Sequence, residues 1–150
     1  MKLIARPDDG LQFEMASREK DLLIQLLRLY PRIPSSYQPL SKAASLEQSS
    51  QRLLDEALAE TRAQNKKALQ SLLTDPQRLR QHGGNWRLTL SGPEVEWLLQ
   101  VLNDIRVGSW IHLGSPETPF KVLNTATAPD VWAMEMAGSF QMRLLEMLEG

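Results

Sequence analysis

The sequence predicts an α+β domain, with a small antiparallel sheet of about three strands packed on four to five helices. Three observations predict it. Leu11, Phe13 and Met15 alternate with Gln12 and Glu14, which is the strand period. The stretch DLLIQLL carries leucines nearly all the way round, the mark of a buried helix. Two S-x-x-Q/E boxes, at Ser45/Gln48 and Ser91/Glu94, mark helix starts.

The chain opens as a hairpin. Residues 2–6 and 11–15 flank PDDG, and Asp9-Gly10 is a two-residue turn signal, because glycine tolerates positive φ. Ser17 offers an N-cap for the next helix, with Glu19 suited to the dipole of its first turn. Pro31 ends that helix. Residues 31–45 hold three prolines and four serines and read as a connector.

A long amphipathic helix comes next, from about 46 to 73. Leu54, Leu58, Thr61, Asn65, Leu69 and Leu72 trace one stripe of it. Asp75-Pro76 has the form of an N-cap and first helical position, so a short helix is expected up to His82-Gly83-Gly84. Trp86, Leu88 and Leu90 alternate with Arg87 and Thr89, giving a third strand over 86–90 that pairs with the hairpin. The Ser91 box starts a helix over about 93–113, closed by Gly114. Residues 115–129 are irregular, with a brief strand expected at FKVL. The last helix, about 128–148, places Val131, Met134, Gly138, Gln141, Leu145 and Leu148 on one face. The small residues Ala133, Ala137, Gly138 and Ser139 would let another helix come close.

The chain has 150 residues, which fits one domain, 1–150, with a core large enough to need no staples. It has no cysteine, so disulfides and thiolate chemistry are excluded. The first ten residues lack a signal-peptide pattern and no apolar run has membrane-spanning length, so a cytoplasmic location is expected. Net charge is −1 but uneven. Residues 61–92 hold six basic side chains and one acid; residues 93–150 hold three basic and eight acidic.

The helix over 93–113 raises the central question. It is apolar, yet it carries Asn103, Asp104 and Arg106. Asn103 and Arg106 are an i, i+3 pair. Asp104 points elsewhere and calls for a partner on another element, because an unpaired charge in a core is expensive. Together with Trp97 these residues form either a structural polar network or a partner site.

The stretch from Leu90 to Trp110 also resembles an uncharacterised bacterial family best known from actinobacteria. Its helix has the pattern W-x4-L-N-D-hydrophobic-R, matched here by Trp97, Leu102, Asn103, Asp104, Ile105 and Arg106. An N-terminal strand pair leading to a leucine-rich helix, and a terminal helix containing Trp132, are similar too. The family favours a hydrophobic helical run after its arginine, whereas Val107-Gly108-Ser109 stands here. The family has no established catalytic residues to carry over. Its members are often encoded beside the adaptor of the Clp protease, which implies a link to regulated proteolysis, and some are labelled transcriptional regulators.

No catalytic signature is present. His82 and His112 lack metal-ligand spacing, and the glycines form no phosphate loop. The expected function is therefore that of a non-enzymatic interaction or regulatory protein, and the resemblance implies that it is accessory to Clp-type proteolysis. No cofactor or metal is implied, and the expected partner is a protein or a second copy of the chain. Trp132, Met136 and Phe140 are its candidate surface, being on the flank away from Leu145. The alternative is a nucleic-acid-associated regulator using Arg62, Lys66, Lys67, Arg78 and Arg80, although aromatic interleaving is absent there.

Overall fold

The computed structural model describes residues 1–34 and 48–150. The connector over 31–45 and the Ser45/Gln48 box lie partly outside the described residues. The elements run β1 (Lys2–Ala5), β2 (Leu11–Ala16), α1 (Ser17–Leu27), α2 (Gln48–Thr74), β3 (Leu79–His82), β4 (Asn85–Leu90), α3 (Gly92–His112), a 3-10 turn (Pro119–Val122) and α4 (Ala128–Glu149). The architecture is α+β, as the alternation and helix periods predict.

The sheet has four antiparallel strands in the order β1-β2-β4-β3. Leu11 lies opposite Leu90, and Phe13 opposite Leu88. All four are buried, so the period-two pattern puts one face on the core. The other face is polar. Gln12 Nε2 donates to Thr89 Oγ1 at 3.1 Å, and Arg87 Nε donates to Glu14 Oε2 at 3.0 Å. Asn85 Nδ2 also donates to Glu14, at 2.9 Å. Against the apolar face pack α1 and α3, and α4 packs along α3; together they bury Leu23, Leu26, Leu98, Leu102, Ile105 and Leu144.

Several expectations are corrected. The first turn is centred one residue earlier: Gly10 N–H donates to Pro7 O at 2.8 Å, and Asp8 takes the positive φ of 53°. Gly10 serves a different need. It is buried, and a Cβ there would stand 2.1 Å from the carbonyl oxygen of Leu90. The cap of α1 is Ala16, not Ser17, because β2 runs into the helix without a loop. Glu19 still reaches back and accepts from the Ala16 N–H at 3.1 Å.

Asp75-Pro76 opens a turn rather than a helix. Asp75 Oδ1 accepts from Gln77 N–H at 2.8 Å, and the chain then enters β3. Leu79 supplies the reason: it buries opposite Leu88, and the stretch pairs with an edge of β4 that would otherwise be bare. The FKVL segment is the 3-10 turn rather than a strand.

The buried face of α4 also differs. It is Val131, Ala133, Ala137, Phe140 and Leu144, while Leu145 and Leu148 are exposed. Ala133 and Ala137 face inward because small side chains let α4 sit close to its neighbours. Phe140 is only 4% exposed and belongs to the core. Trp132 and Met136 are half-buried against it. The expected surface of Trp132, Met136 and Phe140 is therefore a core seam, and the exposed apolar side chains of α4 are Met142, Leu145 and Leu148.

Candidate functional site

The polar residues of α3 do not converge on one site. They form three separate clasps, each holding a different neighbour.

The first belongs to Asp104. Its Oδ1 accepts the backbone N–H of Arg32 at 2.6 Å and that of Ile33 at 3.3 Å. These two amides lie just past the end of α1 and enter no helix or strand ladder, so the carboxylate supplies the acceptor they lack. The Arg32 side chain continues the contact. Its Nε donates to Ser109 Oγ at 3.2 Å, and its Nη2 ion-pairs with Asp130 on α4. Ser109 is fully buried. The approach is close enough to exclude a side chain beneath it. A Cβ on Gly108 would stand 2.4 Å from Arg32 C and 2.5 Å from Ile33 N. Gly108, weakly helical by composition, is thus the saddle on which residues 31–33 sit.

The second clasp joins α3 to α4. Arg106 Nη2 donates to Asn103 Oδ1 at 2.9 Å, the i, i+3 pair. Arg106 Nε donates to Gln141 Oε1 at 3.2 Å. Arg106 is exposed, so water screens this contact.

The third joins α3, α2 and the end of α1. Trp97 Nε1 donates to Asn65 Oδ1 at 2.9 Å, and Asn65 Nδ2 donates to Tyr30 Oη at 3.0 Å. Asn65 lies on the predicted stripe of α2, where an amide interrupts leucines; the structure shows that it binds two aromatic partners at once.

A further charged contact stands at the start of α3. Arg78 ion-pairs with Glu94, and its Nε donates to Thr89 O at 3.1 Å. Burial pushes the Glu94 carboxyl up. The hydrogen bonds from Arg78 and Ser91 outweigh this and hold it below the usual glutamate range. Glu19 behaves in the same way: burial raises it, and the chain's N-terminal amine, the Ala16 N–H and Arg143 bring it down below the usual range.

Of the five predicted nucleic-acid cations, Arg78 is therefore engaged internally, while Lys66, Lys67 and Arg80 are exposed and Arg62 is half-buried. His82 and His112 are both exposed, at the end of β3 and the last turn of α3. Among the described residues, no three His, Cys, Asp or Glu side chains are grouped to hold a metal ion. No helix among them is long and apolar enough to cross a membrane.

A concavity lies between α1 and the C-terminal half of α2. It has a volume of about 680 Å³. Ile24, Leu27 and Leu73 line it with apolar surface, and Arg28, Lys66 and Lys67 add positive charge. Nearer the N-terminus of α2 a second feature stands out. Leu69 and Leu72 are buried, but Leu54 and Leu58, on the same stripe, are 51% and 47% exposed. Residues 52–61 are all exposed. The leucines are legible in the sequence, but their exposure is not, because it depends on where the body of the fold stops.

No family model matches the chain, and neither a curated protein nor a solved structure matches it.

Proposed function

We propose that the chain is a non-enzymatic interaction protein that offers the leucine row of α2 to a protein partner. One observation carries the reading: Leu54 and Leu58 lie at i, i+4 in solvent, on the face that buries Leu69 and Leu72 a few turns later. An apolar row at helical spacing is the chemistry that a hydrophobic groove recognises. The roles of the α3 side chains support the non-enzymatic part. Asn103, Asp104, Arg106 and Trp97 are each used in holding elements together. A role accessory to Clp-type proteolysis is the finer form of this reading, and it rests on the sequence resemblance of the stretch from Leu90 to Trp110 alone.

The test is a pull-down from a native lysate with the purified chain, its Leu54→Asp/Leu58→Asp variant and its Asp104→Ala variant. The leucine variant should keep the wild-type melting temperature and lose the captured partner. The Asp104 variant should melt lower and still capture the partner below its transition. Capture that is indifferent to Leu54 and Leu58 defeats the proposal.

A further inference from the structure

The opposite side of α2 carries a second pattern. Residues 52, 56, 59, 63, 66 and 70 recur at alternating steps of four and three, the spacing of a helix-packing seam. All six are exposed. Their chemistry is ordered: Arg52 and Glu56, then Ala59 and Ala63, then Lys66 and Gln70. The two alanines at the centre would let a second helix approach closely.

The charges are arranged around the middle of the helix. Asp55, Glu56 and Glu60 precede Thr61; Arg62, Lys66 and Lys67 come after it. Each acid lies as far before Thr61 as one of the bases lies after it. A two-fold axis at the level of Thr61 would bring each residue of α2 level with its mirror position in a copy. Ala59 then meets Ala63, Glu56 meets Lys66, and Arg52 meets the neutral Gln70. Asp55 flanks Lys66, and Glu56 flanks Lys67. A parallel arrangement sets acid against acid and base against base.

We infer that the seam 52–70 of α2 is a self-association surface, and that its occupant is a second copy of this chain, packed antiparallel. The contact is isologous, so every favourable charge pair occurs twice. The acidic half of the partner copy's α2 lies along the basic half of this one, beside the cleft where Arg28 adds a third cation. Leu54 and Leu58 face away from the seam and stay available. The inference is thus independent of the leucine-row proposal, and either can fail alone.

Because the seam is charged rather than leucine-rich, association should be moderate and salt-sensitive. Sedimentation velocity on the full chain at about 0.05 M salt should show a dimer, with a dissociation constant that rises roughly tenfold or more at 0.5 M. Asp55→Lys/Glu56→Lys should be monomeric, and so should Lys66→Glu/Lys67→Glu. All four positions are exposed, so both variants should keep the wild-type circular dichroism. Mixed in equal amounts, the two variants should form a heterodimer, because each reversed half then faces its complement. A monomeric wild type at low salt overturns the inference. So does a dimer that survives charge reversal, or a mixture that stays monomeric.

Discussion

Replacing Gly108 by alanine distinguishes a local from a tertiary account of α3 by sign. Considered as a helix position alone, Gly→Ala should stabilise by about 0.5–1 kcal/mol, because alanine loses less backbone entropy on folding. The structure predicts the reverse. The new Cβ would stand 2.4 Å from Arg32 C, roughly 1 Å inside ordinary carbon–carbon contact. The obstacle is backbone on both sides, so no rotamer change relieves it. Overpacking of this kind costs typically about 1–3 kcal/mol. Lifting residues 31–33 would also weaken the hydrogen bonds to Asp104, each worth about 1.5 kcal/mol or more where one partner is charged. Set against the propensity gain, the net loss should be about 2 kcal/mol. At this chain length that lowers the melting temperature by about 4–8 °C. Gly138 in α4 is the internal control. A Cβ there meets only Arg106 Cδ, at 3.6 Å, which is ordinary contact. Gly138→Ala should therefore gain up to about 1 kcal/mol. Thermal and urea unfolding of both variants, followed by circular dichroism, provides the measurement. A Gly108→Ala variant as stable as wild type, or more so, would show that residues 31–33 do not sit on α3.

The same contacts set four more outcomes. Asp104→Ala should cost about 2 kcal/mol, since two backbone amides lose a charged acceptor. Arg106→Ala should cost at most about 0.5–1 kcal/mol, since its contacts are exposed; equal losses would contradict the clasp assignment. Asn65→Ala removes the link between Trp97 and Tyr30 and should cost about 1–2 kcal/mol in urea unfolding. Glu94 is held below the usual glutamate range, so its stabilising effect is present above about pH 4.3 and fades as pH falls through its lowered folded value. Glu94→Gln should therefore flatten the acid limb of the stability curve. An unchanged limb would mean that the Arg78 pair does not hold in solution.

Much of the fold is legible locally. The alternation at 11–15 and 86–90, the Ser91/Glu94 box and the leucine density of α1 and α2 each depend on neighbours a few residues away, and each produces the element its spacing implies. The i, i+3 pairing of Asn103 with Arg106 is legible for the same reason. The departures share a cause. Asp75-Pro76 carries a good helix-start signal, yet a bare edge on β4 and a site for Leu79 in the core make a strand of residues 79–82. The stripe read along α4 is shifted because the sequence does not say which side α3 approaches from, so the spacing alone puts Phe140 on the surface, whereas it is buried in the core.

The sequence by itself determined the types of β1, β2, β4 and the four long helices, the charge mirror in α2 and the need of Asp104 for a partner. Only the tertiary structure decided which partner: amides 71 and 72 residues away, brought over a glycine that has room for nothing else. Periodicity and capping are short-range and can be read along one dimension. The satisfaction of a partly buried charge is settled by whichever distant backbone the packed core delivers to it.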